Sequence, residues 1–212
     1  MSSDKIDLLT EVAQYYSTKL AEHGETPQGV DWNGENGQKL RFEQLYKIIE
    51  TENTFSINDL GCGYGALYDF LINKYYKKIS YAGVDISKAM IKAAEQRYKD
   101  QPQVSFVLSN EPIQIANFGV ASGIFNVRMG RSDEEWRLYL EATLDVLDRT
   151  SNIGFAFNCL TSYADKDKMR DDLYYADPCE LFDLCKRRYS RNVALLHDYD
   201  LYEFTILVRK SA

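Results

Sequence analysis

Five residues in the first half of the chain have the types and spacing to hold a ligand: Asp59, Gly61, Gly63, Gly65 and Asp85. The stretch INDLGCGYGALYDFL, residues 57–71, sets three glycines at alternate positions behind an aspartate. Glycine leaves backbone bare for a ligand to approach and accepts the left-handed turn that joins a strand to a helix. Gly61-x-Gly63-x-x-Ala66 fits the loose dinucleotide fingerprint. Asp59 argues against a pyrophosphate, because two negative charges would crowd one turn. A carboxylate there suits a ligand that carries an ammonium or sulfonium and no phosphate. Asp85 follows Gly61 by 24 residues, close to the spacing at which an acidic side chain accepts hydrogen bonds from ribose hydroxyls. A role beside a helix cap is the alternative for Asp85. Ile86, next to it, is placed to pack on an adenine face.

Such a turn needs a strand before it and a helix after it. Residues 54–60, TFSINDL, read as a buried strand, and 65–76, GALYDFLINKYY, as a helix. Residues 79–85 are a second strand, and 87–99 a helix with Ser87 as N-cap. Residues 104–108 are a third strand. VASGIFNV, 120–127, reads as a fourth, apolar on both faces as a central parallel strand is. Ser132 and Glu135 form a capping-box pattern, followed by Trp136, Leu140, Leu144 and Leu147 on one helix face. NIGFAFNCL, 152–160, is a fifth strand. Strands alternating with helices predict a parallel sheet covered on both faces. The last segment, 192–210, holds two strands joined by only a few residues, which demands an antiparallel pair. Upstream, a helix over residues 8–21 and a Gly-rich polar break over 22–38 precede a helix starting near Gln38.

The segments DLGCGYGAL, 59–67, and YAGVDIS, 81–87, resemble the motifs of the class I S-adenosylmethionine-dependent methyltransferases. The resemblance extends to the strand order and covers about residues 38 to 210. It implies an α/β, doubly wound, mostly parallel seven-stranded sheet with a C-terminal antiparallel hairpin, the Rossmann-like methyltransferase fold. Residues 38–212 would form the cofactor-binding domain, and residues 1–37 a helix and loop covering the active site. The implied cofactor, S-adenosyl-L-methionine, bears an ammonium and a sulfonium and no phosphate. By this resemblance the backbone at Gly61, Cys62, Gly63 and Gly65 approaches the methionine part, Asp59 attracts its amino group, and Asp85 with Ile86 holds the nucleoside. Many members carry an acidic residue near the adenine amino group after the third strand. Here that segment reads LSNEP, so Asn110 or Glu111 takes the role. Many members also begin the fourth strand with an aspartate, which this chain lacks. Asn126 joins the expected cofactor set, and Arg41 is placed to meet the methionine carboxylate, with a solvated helix position as its alternative.

Ligands of open parallel sheets lie beyond the carboxyl ends of the strands. That edge is expected at Asn126, Val127 and Arg128 after strand four, at Asn158 and Cys159 after strand five, and at His197, Asp198 and Tyr199 in the hairpin. Substrate contacts are expected from Tyr16, Trp32, Arg128, Asn158, Tyr163, Tyr174 and Tyr175. Methyl transfer is an in-line displacement, in which the protein aligns the reactants and excludes water. Where the acceptor must lose a proton, His197 is the candidate general base and Asp198 its orienting partner. A histidine satisfied within a turn is the alternative.

The chain has 212 residues, a formal net charge of -7, four cysteines without CxxC pairing, and two histidines. An acidic surface repels phosphate backbones and weighs against nucleic acid as the partner. The one dense basic run, Lys186–Arg188, reads as a solvated helix face. No Asp/Asn-Pro-Pro-aromatic segment of amino-directed nucleic acid methyltransferases is present. Sixteen tyrosines are many for this length, with pairs at 15–16, 75–76 and 174–175. The expectation is a cytoplasmic enzyme without a structural metal or membrane span. It would methylate oxygen or nitrogen of a small molecule. RNA or protein as acceptor, and cofactor binding without catalysis, are the alternatives.

Overall fold

The computed structural model describes residues 3–50, 54–75 and 79–211; Tyr76 of the 75–76 pair lies outside them. Among the described residues the sheet is carried by the parallel strands β1 (Phe55–Leu60), β2 (Ile79–Asp85), β3 (Val104–Leu108), β4 (Ala116–Ala121) and β5 (Ser151–Thr161). A two-residue strand, β6 (Tyr175–Ala176), pairs with the end of β5. The hairpin β7 (Asn192–Leu196) and β8 (Glu203–Arg209) completes the sheet, with β8 antiparallel to both β5 and β7. The strand order is β3-β2-β1-β4-β5-β8-β7. The chain leaves β1 toward β2 and β3 and returns on the other side as β4, so a crevice opens at the carboxyl ends of β1 and β4.

Among the described residues six α-helices flank the sheet: α1 (Ser3–His23), α2 (Glu35–Leu45), α3 (Ala66–Tyr75), α4 (Lys88–Arg97), α5 (Asp133–Arg149) and α6 (Pro178–Arg188). Their starts follow local chemistry. The Ser87 hydroxyl accepts from the Met90 amide ahead of α4, and Ser132 with Glu135 closes a capping box on α5. Asp177 caps α6, and Pro178 occupies its first turn. Along β5 successive side chains serve opposite faces. Phe155 and Phe157 pack with Trp136, Leu140 and Leu181 of α5 and α6. Ala156 packs with Phe42, Leu45 and Leu71 of α2 and α3.

The fourth strand departs from the expected span. It ends at Ala121, and residues 122–126 form the turn that follows. Gly123 has φ +76°, outside the extended region. Ladder pairing with β1 runs only from Phe118 to Ala121. The apolar run 120–127 was therefore part strand, part buried turn, which periodicity cannot separate. The carboxyl edge at β4 falls on Ser122 rather than Asn126. Among the described residues no helix is long and apolar enough to cross a membrane.

Candidate cofactor and acceptor site

A cavity of about 1120 Å³, counted out to its mouth, occupies the crevice. Its floor is the glycine turn. Gly61, Gly63 and Gly65 have φ of +79°, +54° and +85°, which side-chain-bearing residues rarely adopt. A Cβ on Gly61 would stand 2.1 Å from the Ile124 side chain, and one on Gly65 2.6 Å from Tyr98. The turn is tight on both sides, and only glycine fits it.

Two carboxylates flank this floor. Asp85, at the end of β2, accepts from the Gly63 amide at 2.9 Å and the Ser87 amide at 2.8 Å. Desolvation pushes its pKa up, while those amide donors pull it back. Asp59 is 2% exposed. The Tyr81 hydroxyl donates to its carboxyl at 2.5 Å. Burial raises the Asp59 pKa to about 7 against the Tyr81 bond, and Asp85 adds to the rise. Glu111, at the far end, is paired with Arg149. Among the described residues lining the cavity, every charged group is a carboxylate.

Gln38, Phe42 and Tyr64 close one end, where Gln38 meets the Tyr64 hydroxyl. Ile86, Ser109, Asn110, Tyr139, Thr143 and Val146 also line the cavity, and the Met90 sulfur lies beside Gly63. Leu9, Val12 and Tyr16 of α1, with Val30 and Trp32 of the following loop, form the roof. Polar contacts hold α1 over the sheet. Ser17 and Ser87 hydroxyls meet at 2.9 Å, and Arg131 grips Glu11 with two bonds of 3.0 Å. Burial pushes the Tyr16 hydroxyl far up and that of Tyr139 to about 12, so both stay protonated.

The β4–β5 side of the crevice is closed by a ring of contacts. The Arg41 guanidinium stacks on the Trp32 indole, 3.9 Å from the ring centroid. Trp32 in turn fills the space over Gly123, where a Cβ would lie 2.4 Å from the indole. The Gly123 amide donates to Asn158 at 2.8 Å, and the Asn158 amide group donates to Glu203 at 2.8 Å. Glu203, 1% exposed, accepts from Arg41 at 2.8 and 2.6 Å.

Residues 57–149 match the family described as "Methyltransferase domain". The chain is 57% identical over 166 residues to "Putative methyltransferase Rv1506c" of Mycobacterium tuberculosis (strain ATCC 25618 / H37Rv). That match spans 78% of this chain and 99% of the relative. The chain belongs to the class I S-adenosylmethionine-dependent methyltransferases. Solved structures agree on the methyltransferase fold. The N-methyltransferase NodS from Bradyrhizobium japonicum WM9, with bound S-adenosyl-L-homocysteine, superposes with TM-score 0.65 at 13% identity. The match covers 94% of this chain and 98% of NodS. A chain of the complex between the Haloferax volcanii Trm112 methyltransferase activator and a methyltransferase gives 0.63 at 14% identity, over 92% and 96%.

The methyltransferase cavity fits its family's cofactor on three observations. The glycine floor leaves backbone bare, the charged walls are anionic, and the Ser122 hydroxyl on the wall is buried without a partner among the described residues. A pyrophosphate would meet carboxylates and no cation. Of the residues expected from sequence, Asp59, Gly61, Cys62, Gly63, Asp85, Ile86, Asn110, Glu111, Tyr16 and Trp32 line the cavity. Gly65 shapes the turn from behind.

The others lie elsewhere. Arg41 is bound to Glu203 and does not face the cavity, and Gln38, one turn earlier, occupies that wall instead. Asn126 is buried in the turn after β4, where its carbonyl accepts from the Tyr174 amide. Arg128 pairs with Asp133 and the Asp171 carbonyl. Asn158 belongs to the ring, Tyr174 to the core, and the Tyr175 hydroxyl accepts from the Arg170 amide. Tyr163 is exposed, and its ring meets His197 at 5.9 Å. His197 and Asp198 do follow β7 at the carboxyl edge, but β5 and β8 separate them from β4 and neither lines the cavity. Gln38, Tyr64, Ser122, Tyr139 and Thr143 were missed. Tyr139 and Thr143 lie four residues apart on α5, a spacing that marks a shared face but not what the face meets.

Proposed function

We propose that this methyltransferase transfers a methyl group to an oxygen or nitrogen of a small molecule. The observation that carries the reading is the roof. The side chains of α1 and Trp32 close the cavity from within the same chain, which suits an acceptor small enough to be enclosed. The bound cofactor supplies a methyl group on a positively charged sulfur, an electrophile with a good leaving group. In this reading Asp59 and the Gly61–Gly63 backbone receive the amino-acid part, and Gln38 with Tyr64 offers hydrogen bonds to its carboxylate. Asp85 accepts the ribose hydroxyls, and Ile86, Asn110 and Val146 surround the base. Trp32, Ser122 and Gly123 face the acceptor.

The protein's contribution is alignment and exclusion of water. Tyr16 and Tyr139 keep their protons, so they donate hydrogen bonds and do not act as bases. That favours an acceptor with its own lone pair at neutral pH, an amine nitrogen or an acidic hydroxyl. Incubation with methyl-labelled cofactor and a metabolite extract tests the reading. Labelled small molecules are the expected result, and label confined to RNA or protein would sink it.

A further inference from the structure

The register of β1 and β2 gives Asp59 an unusual neighbour. Ile57 pairs with Tyr81 and Asp59 with Gly83, so all four share one face. Gly83 has no side chain, and the next group along β2 is the phenol of Tyr81. Its hydroxyl reaches diagonally across the strands to the Asp59 carboxyl at 2.5 Å. The Tyr81 ring is locked by Tyr68 at 5.3 Å and Phe106 at 6.0 Å between centroids, so this hydroxyl is held in place.

Among the described residues no cation lines the cavity beside Asp59. β2 contributes Tyr81 and, at its end, Asp85. The glycine turn contributes the Cys62 thiol, which burial keeps protonated. β4 sets Val120 opposite, and α2 contributes only the neutral Gln38 and Phe42 to the cavity wall. Arg41, the cation on α2, is turned to Glu203. A buried carboxylate with one neutral donor is poorly compensated when charged. A ligand ammonium would supply the missing charge.

We infer that Tyr81 is a positioning residue for Asp59, and that the cavity takes up its ammonium-bearing ligand with release of one proton from the Asp59 carboxyl to solvent. The inference rests on the proposed placement of the amino-acid part at Asp59. Tyr81 keeps the carboxyl aimed and within reach of ionisation. The incoming ammonium then favours the charged form, and affinity tightens as pH rises through about 7.

Calorimetric titration with S-adenosylhomocysteine, which keeps the ammonium, tests this in buffers of different ionisation enthalpy from pH 5.5 to 9. Close to one proton should be released at pH 6 and almost none at pH 8.5, with affinity rising about tenfold from pH 6 to 8. Tyr81→Phe should move that rise to higher pH by about one unit and leave binding at pH 9 close to wild type. Asp59→Asn should abolish the pH dependence and keep the weaker affinity throughout. Tight binding with buffer-independent heat would overturn the inference and leave the cofactor reading standing. So would a Tyr81→Phe loss of equal size at every pH. Absence of binding at every pH would remove both. If Tyr81→Phe does not fold, wild type and Asp59→Asn still decide.

Discussion

The two walls of the cavity handle buried charge in opposite ways. On the β1–β2 wall, Asp59 and Asp85 accept only from a hydroxyl and from amides. Behind the β4–β5 wall, Glu203 of β8 is as buried as Asp59 but accepts from Arg41 twice and from Asn158. One wall leaves its negative charge for a ligand, and the other neutralises its own. A charge completed within the protein acts on geometry; one left without a counter-ion acts on whatever enters the cavity. The contrast also explains why Arg41 is a poor carboxylate receptor here. Its fork is already engaged by a carboxylate of the same chain.

The largest effect should come from breaking the neutral wall. Glu203→Ala strands Arg41 in the interior and should cost about 4 kcal/mol in denaturant unfolding, whereas pairing Glu203→Leu with Arg41→Met should recover most of it. If the single and double variants lose the same amount, the wall is not held by charge pairing. Next in size is Asp85→Ala. Loss of charge-assisted hydrogen bonds should weaken S-adenosylhomocysteine by about 2 kcal/mol, some thirtyfold, while unfolding changes less. Equal losses in binding and stability would erase the distinction between the walls.

Asp59→Asn should do what no change on the other wall can: stabilise the protein above neutral pH. The folded pKa of Asp59, about 7, lies above its unfolded value. Its contribution to stability is therefore full below pH 4 and lost as pH rises through 7. Between pH 5 and pH 8 the asparagine variant should gain on the order of 2 kcal/mol relative to wild type. Thermal melts at both pH values check it. Smallest is the half-exposed tie of Glu11 to Arg131 at the roof. Glu11→Gln should cost about 0.5 kcal/mol, and less at high salt. A larger loss, measured by the same melts, would mean that the roof is built like the neutral wall.

What depends on near neighbours in the chain was legible before the fold was known. Asp59, the glycine turn and Asp85 were readable because a strand, a tight turn and a helix within 30 residues impose their own composition. Ser87 and Ser132 were readable as caps because a cap bonds three residues on. The rest depends on contacts between distant segments. Arg41 meets Glu203 across 162 residues, and no local pattern reports such a partner. The end of β4 is set by pairing with β1, so an apolar run that looked like one strand broke at Ser122, and Asn126 and Arg128 moved off the edge. His197 stands on the predicted edge but at the wrong end of it, because strand order in space, not in sequence, sets the distance to the cavity. Chemistry carried by one turn is written locally; chemistry assembled from α1, α2, β5 and β8 exists only once burial has brought those elements together.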